Sequence, residues 1–175
     1  MIYTSHYISP LGDILIASKD NKLIGLWIEG QKYFLYSVNE KIQEKPTDEI
    51  LVKTRNWLDR YFDGKKPNLK ELELNPIGSD FRQAVWKILC KIPYGTVITY
   101  NDIAKEIAKQ MNIKKMSAQA VGGAVGHNPI SIIIPCHRVV GSNDSLTGYA
   151  GGIDKKIWLL NHENVNMDNL YEPKK

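Results

Sequence analysis

A thiol, an imidazole and a guanidinium stand side by side at Cys136, His137 and Arg138, at the end of an apolar run, "SIIIPCHRVVG" (131–141). A free cysteine has a pKa of about 8.5, so only a few per cent is thiolate at neutral pH. As a nucleophile, Cys136 therefore needs a base or a cation close by, and His137 and Arg138 are the nearest in sequence. On a regular strand, neighbours point to opposite faces, so His137 would not meet the sulfur directly. Pro135 is foreign to a central strand, so the chain is expected to leave an isoleucine strand here and turn. Taken alone, the run is better explained as a strand ending in a core cysteine, because free Cys is among the most buried residue types. A third group is Glu163, at the C-terminal end of a predicted helix in "KKIWLLNHEN". A carboxylate there opposes the helix dipole. It is either exposed and slightly unfavourable or the partner that orients a histidine.

The elements that must position these groups fall in two parts. Residues 2–8, 12–18 and 23–28 are short, apolar and separated by turn residues, which predicts an antiparallel meander. "TDEILVKTRNWLDRYFDG" predicts an amphipathic helix capped by Thr47 or Asp48 and stopped by Gly64. "LKELEL" (69–74) alternates like a strand, and "NPIGS" (75–79) is the expected boundary between domains 1–75 and 76–175. Beyond it, Phe81, Val85, Ile88, Leu89 and Ile92 make one helical stripe after a Ser79 cap, with Cys90 beside it as a buried structural thiol.

Thr99 with Asp102 is a capping-box-like start for a helix whose apolar face is Ile103, Ile107 and Met111. A second helix starts near Ser117, so the pair forms a candidate helix-turn-helix. That second helix is bare: Ala118, Ala120, Gly122, Gly123 and Ala124. Mid-helix glycine costs about 1 kcal/mol relative to alanine. Two explanations stand, close packing against another helix, or entry into a narrow groove. A helix is about 10–12 Å across, against about 6 Å for the DNA minor groove. Lys109, Lys114 and Lys115 precede the helix and could meet phosphates. The loop "SNDSLTGYAGG" (142–152) is glycine-rich enough for backbone N–H groups to approach a ligand, or is plain surface.

The balance of 43% apolar and 24% charged residues is that of a globular chain. No apolar run reaches the length of a membrane span, and the start lacks the basic flank of a signal peptide. A cytoplasmic protein is expected, nucleoid-associated if prokaryotic. Two cysteines make no disulfide framework, and the four histidines show no zinc spacing, so no metal is expected. Residues 1–75 hold 11 Lys+Arg against 11 Asp+Glu, and residues 76–175 hold 12 against 8, so the whole surplus of +4 lies in the second part. That fits a nucleic-acid face there, or an ordinary solvated surface.

"IPCHRVV" (134–140) resembles the active-site signature of the O6-alkylguanine-DNA alkyltransferases, also called methylated-DNA–protein-cysteine methyltransferases. The resemblance continues in "PYGTVITY" (93–100), "AVGGAVGHNP" (120–129), "GYAGG" (148–152) and "WLLNHE" (158–163). It spans about residues 79–165, and the first 75 residues match mainly in layout. The fold it implies is α+β, with a small antiparallel sheet-plus-helix domain of ribonuclease H-like type and a mostly helical winged helix-turn-helix domain. The activity it implies is stoichiometric repair of O6-alkylguanine, with O4-alkylthymine beside it, in double-stranded DNA after base flipping. No cofactor and no obligate protein partner are implied, and a monomer is expected.

By the same resemblance, Cys136 is the alkyl acceptor. His137 takes the thiol proton through a water, Glu163 supports the histidine, and Asn128 braces the network. Tyr100 helps protonate the departing guanine. The carbonyls of Cys136 and Val139 read its edge, Tyr149 lines the pocket, Lys156 supports the binding surface, and Arg138 structures the turn. The second helix enters the minor groove with Ala118, Gln119, Gly122 and Gly123, beside Lys114 and Lys115. Two positions depart from the pattern. Gln119 stands where many members carry an arginine, and Ala150 stands where some carry a serine, leaving only its backbone N–H. A damage sensor without the acceptor cysteine and a cysteine hydrolase are the competing readings.

Overall fold

The computed structural model describes residues 1–36 and 38–172. The chain forms two compact units, Met1–Gly78 with Pro129–Ile133, and Ser79–Asn128 with Ile134–Lys175. Pro129–Ile133, expected in the second domain, joins the first. Its backbone explains why: Leu26 N–H donates to Pro129 O (2.8 Å) and Ser131 N–H to Leu26 O (3.1 Å).

In the first unit, β1 (Ile2–Ser9), β2 (Gly12–Lys19) and β3 (Lys22–Ile28) form the expected antiparallel meander. A fourth strand, β4 (Ile42–Glu44), pairs parallel to β1, so the order is β3-β2-β1-β4 and the sheet is mixed, not wholly antiparallel. Helix α1 (Glu49–Phe62) starts at Asp48, whose side chain accepts from Leu51 N–H. It buries Leu51, Trp57, Leu58 and Tyr61. Residues 69–74 are not a strand. Asn68 and Glu71 close a capping box on a short 3-10 turn, Leu69–Glu71, and local capping wins over alternation. Only Leu74 makes a bridge, to Leu23.

The second unit holds α2 (Asp80–Leu89), α3 (Tyr100–Gln110), α4 (Ala118–Gly126) and α5 (Ile153–His162). Two short parallel strands, β5 (Ile98–Thr99) and β6 (Val139–Val140), pair beside them. The helix starts follow side-chain chemistry: Ser79 accepts from Arg82 N–H, Thr99 and Asp102 form a capping box, and Ser117 accepts from Ala120 N–H. Met111, expected on the buried face of α3, lies past the helix and is 53% exposed. Cys90 is half-buried, and burial pushes its thiol up to about 11. Val140, Leu146, Leu160 and Val165 form a core cluster under Val97, Ile157, Met167 and Leu170. Among the described residues, no helix is long and apolar enough to cross a membrane, and no group of three or more His, Cys, Asp or Glu could hold a metal ion.

Candidate active site

The isoleucine run is not a strand. Ile130 makes one bridge, to Leu26, and residues 131–134 turn. Ile133 N–H donates to Ser131 O (2.8 Å) around Ile132, whose φ is +70°. This is a γ-turn of the rarer, strained sign, and a β-branched residue adopts it at a cost. Pro135, at φ −81° and ψ 64°, centres a second γ-turn of the ordinary sign, closed by Cys136 N–H to Ile134 O (2.8 Å). Cys136, His137 and Arg138 then form one 3-10 turn. Alternation does not apply on such a turn, and all three side chains are buried.

Cys136 is 3% exposed. Burial pushes its thiol up, while a hydrogen bond from Asn128 and the charge of Lys156 pull it down. Asn128 follows α4 and is itself fixed by Nδ2 donating to Ile134 O (2.8 Å). His137 is fully buried, with Nε2 2.7 Å from Glu163 Oε2. Its Nδ1 is buried and bonds no protein group. Burial lowers the histidine's pKa first; Glu163 raises it, and Arg138 and Lys156 lower it further.

Glu163 caps the C-terminus of α5 and is 2% exposed, not an exposed misfit. Burial alone would raise its carboxyl. Hydrogen bonds and charge from His137 and Arg138 outweigh that and hold it well below the usual carboxylate range. Arg138 Nε donates to Oε1 (2.7 Å) and Nη2 to Oε2 (3.1 Å).

Lys156 is also fully buried. Its Nζ donates to the carbonyls of Val139 and Thr147, and burial lowers its pKa to about 8. One lone pair of the Val139 carbonyl, expected to face a base, is therefore engaged by an ammonium. Tyr100 Oη lies 3.1 Å from both Thr147 O and Gly148 O, so Thr147 O is shared by Tyr100 and Lys156. Burial pushes the Tyr100 hydroxyl up, and the nearby Cys136 adds to it. Gly148 is needed there: φ is +74°, and a Cβ would sit 2.8 Å from Tyr100 Oη. Tyr149 is buried, its ring edge-on to His137 at 6.4 Å, and Ala150 follows it half-buried.

The bare helix α4 shows Ala118, Gln119, Ala120 and Gly123 to solvent. A Cβ at Gly123 or Gly126 would meet nothing within 4 Å, and one at Gly122 only the Tyr100 ring at 4.0 Å. Packing does not demand these glycines, which removes close helix packing as their explanation. Val121, Ala124 and Val125 form the buried side, and Trp86 Nε1 donates to Ala124 O (2.8 Å). The turn from α3 to α4 carries Lys114 and Lys115, both exposed.

Two family models match: the 6-O-methylguanine DNA methyltransferase DNA binding domain over residues 80–165, and its ribonuclease-like domain over residues 2–76. The chain belongs to the 6-O-methylguanine DNA methyltransferase family. It is 42% identical to the methylated-DNA–protein-cysteine methyltransferase of Methanosarcina barkeri, over 91% of this chain and 95% of that one. It is 37% identical to the protein of the same description from Haemophilus influenzae, over 94% and 87%. Among solved structures, it is similar to Mycobacterium tuberculosis OGT in complex with DNA, with TM-score 0.78 and 37% identity over 93% of this chain and 91% of that one. Its small sheet-bearing unit followed by a helical unit is the fold of these structures. The family resemblance names Cys136, His137, Glu163, Asn128, Tyr100 and Lys156, but not Tyr94 or the Thr147 carbonyl, and it gives Arg138 no part beyond shaping the turn. The signal was present in the charge of Arg138 beside a histidine with a distant acidic partner.

Proposed function

We propose that this chain is a methylated-DNA–protein-cysteine methyltransferase that repairs O6-alkylguanine in duplex DNA by taking the alkyl group onto Cys136. One observation carries the reading: a buried thiol and a buried histidine share one turn, the histidine is paired with Glu163 from the end of α5, and its remaining ring nitrogen bonds no protein group. The thiol proton passes through a water to His137 Nδ1. The sulfur forms a bond to the alkyl carbon as the carbon–O6 bond breaks, and the electron pair leaves with guanine. Tyr100 is assigned the proton that the departing base takes, and Asn128 and Lys156 steady the thiolate. A thioether is not readily broken, so each molecule acts once.

The lesion must leave the base stack to reach a buried sulfur, which makes base flipping part of the proposal. The open face of α4 supports entry into the minor groove, with Gln119 standing in for the extruded base and Lys114 and Lys115 on phosphates. Val139, Tyr149 and Ala150 line the pocket. O4-alkylthymine is a second substrate of this reading. The protein acts as a monomer, without an obligate protein partner, in the cytoplasm.

Mass spectrometry after mixing with duplex DNA bearing O6-methylguanine tests this. The expected result is one methyl group on Cys136, none in Cys136→Ser, and no turnover beyond one equivalent. Tight DNA binding by unmodified protein would make it a sensor, and multiple turnover would make it a hydrolase. Either overturns the proposal.

A further inference from the structure

Glu163 is in a poor place for a charge. It is buried, and it sits at the C-terminal end of α5, where the helix dipole repels an anion. Both effects favour a protonated carboxyl. The groups opposing them are His137, whose Nε2 lies 2.7 Å from Oε2, and Arg138, the permanently charged one, whose fork spans both carboxylate oxygens at 2.7 and 3.1 Å. Arg138 is itself pinned, since Nη1 donates to Ile92 O (2.7 Å) and the guanidinium lies over the Tyr94 ring at 5.6 Å. Both contacts come from the segment between α2 and β5, so the fork cannot swing away without unpacking that turn.

We propose that Arg138 is a positioning residue for the alkyl transfer: it holds Glu163 ionised while cancelling its charge, and so keeps His137 a neutral imidazole with a bare Nδ1. An ionised carboxylate only accepts hydrogen bonds, so His137 Nε2, 2.7 Å from it, must carry the ring hydrogen. The lone pair is then on Nδ1, the nitrogen that bonds no protein group. Two failures follow if Arg138 is removed. A protonated Glu163 would let Nε2 accept, moving the ring hydrogen to Nδ1. A Glu163 that stayed ionised without its arginine would instead favour imidazolium. Either state leaves Nδ1 unable to take a proton. Arg138 acts through Glu163 and touches no substrate.

The other titratable groups at this cluster are Tyr94, Tyr100, Cys136, Tyr149 and Lys156, and His162 stands next to Glu163 at the end of α5. Burial pushes Tyr94 and Cys136 up, away from the neutral range, and Lys156 titrates at about 8. Assays between about pH 5 and 7, where an unperturbed histidine titrates, therefore leave histidine and Glu163 as the groups to separate, and the ring signal of His137 itself distinguishes it from His162.

The proposal rests on His137 serving as the base for Cys136, and the experiment has two arms so that the two ideas can fail separately. The first arm is nitrogen-15 NMR of the His137 ring in wild type, Arg138→Met and Arg138→Lys. Wild type is expected as the neutral Nε2–H tautomer, Arg138→Met as imidazolium or Nδ1–H, and Arg138→Lys restored. The second arm is the pH profile of single-turnover methyl transfer. It is expected to be flat in wild type and Arg138→Lys, and to fall by about tenfold per pH unit on the acid side in Arg138→Met. Affinity for undamaged duplex is the folding control and is expected to be equal in all three. A wild-type ring with hydrogen on Nδ1, or an Arg138→Met ring that stays neutral Nε2–H, overturns the proposal. So do a rate and pH profile in Arg138→Met that match those of wild type. If His137→Ala transfers methyl as fast as wild type, the base assignment fails instead, and the NMR arm still decides the role of Arg138.

Discussion

Replacing Glu163 by glutamine removes one charge and almost no volume, so its effect is electrostatic. In the native structure the carboxylate receives Arg138 Nε, Arg138 Nη2 and His137 Nε2, with Gly95 N–H at 3.4 Å, and its side chain is 0% exposed. Glutamine has one acceptor oxygen where glutamate has two, and its NH2 must face a donor. The Arg138 side chain, 11% exposed, is left without a counterion. Breaking a buried pair in this way costs about 3–5 kcal/mol. For a chain of this size each kcal/mol moves the melting temperature by roughly 2–4 °C, so a fall of roughly 6–20 °C is expected at pH 7.

The pH dependence follows from the sign of the shift. The native carboxyl is depressed, so its contribution is full above the unfolded pKa of about 4.3 and is lost as pH falls toward the native value. Glutamine has nothing to lose there. The gap between wild type and Glu163→Gln should therefore narrow as the pH is taken below about 4. Adding Arg138→Met removes the stranded cation, and the double variant should be more stable than the sum of the single effects. Thermal melts by circular dichroism across pH test all three points. A drop of less than about 2 °C at pH 7, or additive single variants, would refute the buried-pair reasoning.

Lys156→Met should flatten a pH dependence of the opposite kind. The native lysine loses its proton at about 8 against 10.5 unfolded, so wild type should gain stability as pH rises between them and the variant should not, as urea midpoints at pH 8 and 10 would reveal. Gly148→Ala forces an L residue to φ +74° against Tyr100 Oη, and should cost at least about 1–2 kcal/mol by urea titration. Lys114→Ala with Lys115→Ala should lower affinity for undamaged duplex. It should also flatten the slope of log affinity against log salt by about 0.9 for each phosphate no longer neutralised. An unchanged slope would remove both lysines from the interface.

Helix starts were legible in the sequence because capping is local chemistry. Asp48, Ser79, Thr99 with Asp102, and Ser117 all cap as their types predict. Elements decided by distant pairing were not. The three residues of β4 are all exposed and carry no alternating pattern to announce a parallel partner in β1. "LKELEL" has the alternation of a strand, but Asn68 and Glu71 bond each other's backbone first. The isoleucine run has strand composition, yet Ile132 sits at φ +70° in a γ-turn, against the preference of a β-branched residue.

The residues of the candidate active site are the ones whose local chemistry argues against them, and the structure shows how they coexist. A glutamate at a helix C-terminus, a lysine inside a core and a histidine beside a cysteine on an apolar run are each poor local choices. Together they offset one another: Arg138 answers Glu163, two backbone carbonyls answer Lys156, and Lys156 with Asn128 answers the sulfur. Conflict between local preference and native environment is tolerated where function needs it. What no local pattern could reveal is which carboxylate meets which imidazole, because 25 residues separate Arg138 from Glu163 and 26 separate His137 from it. That pairing is made by docking the end of α5 on the Cys136–Arg138 turn. The reactivity proposed for Cys136 therefore depends on tertiary packing, and a variant that loosens the end of α5 should lose alkyl transfer before it loses DNA binding.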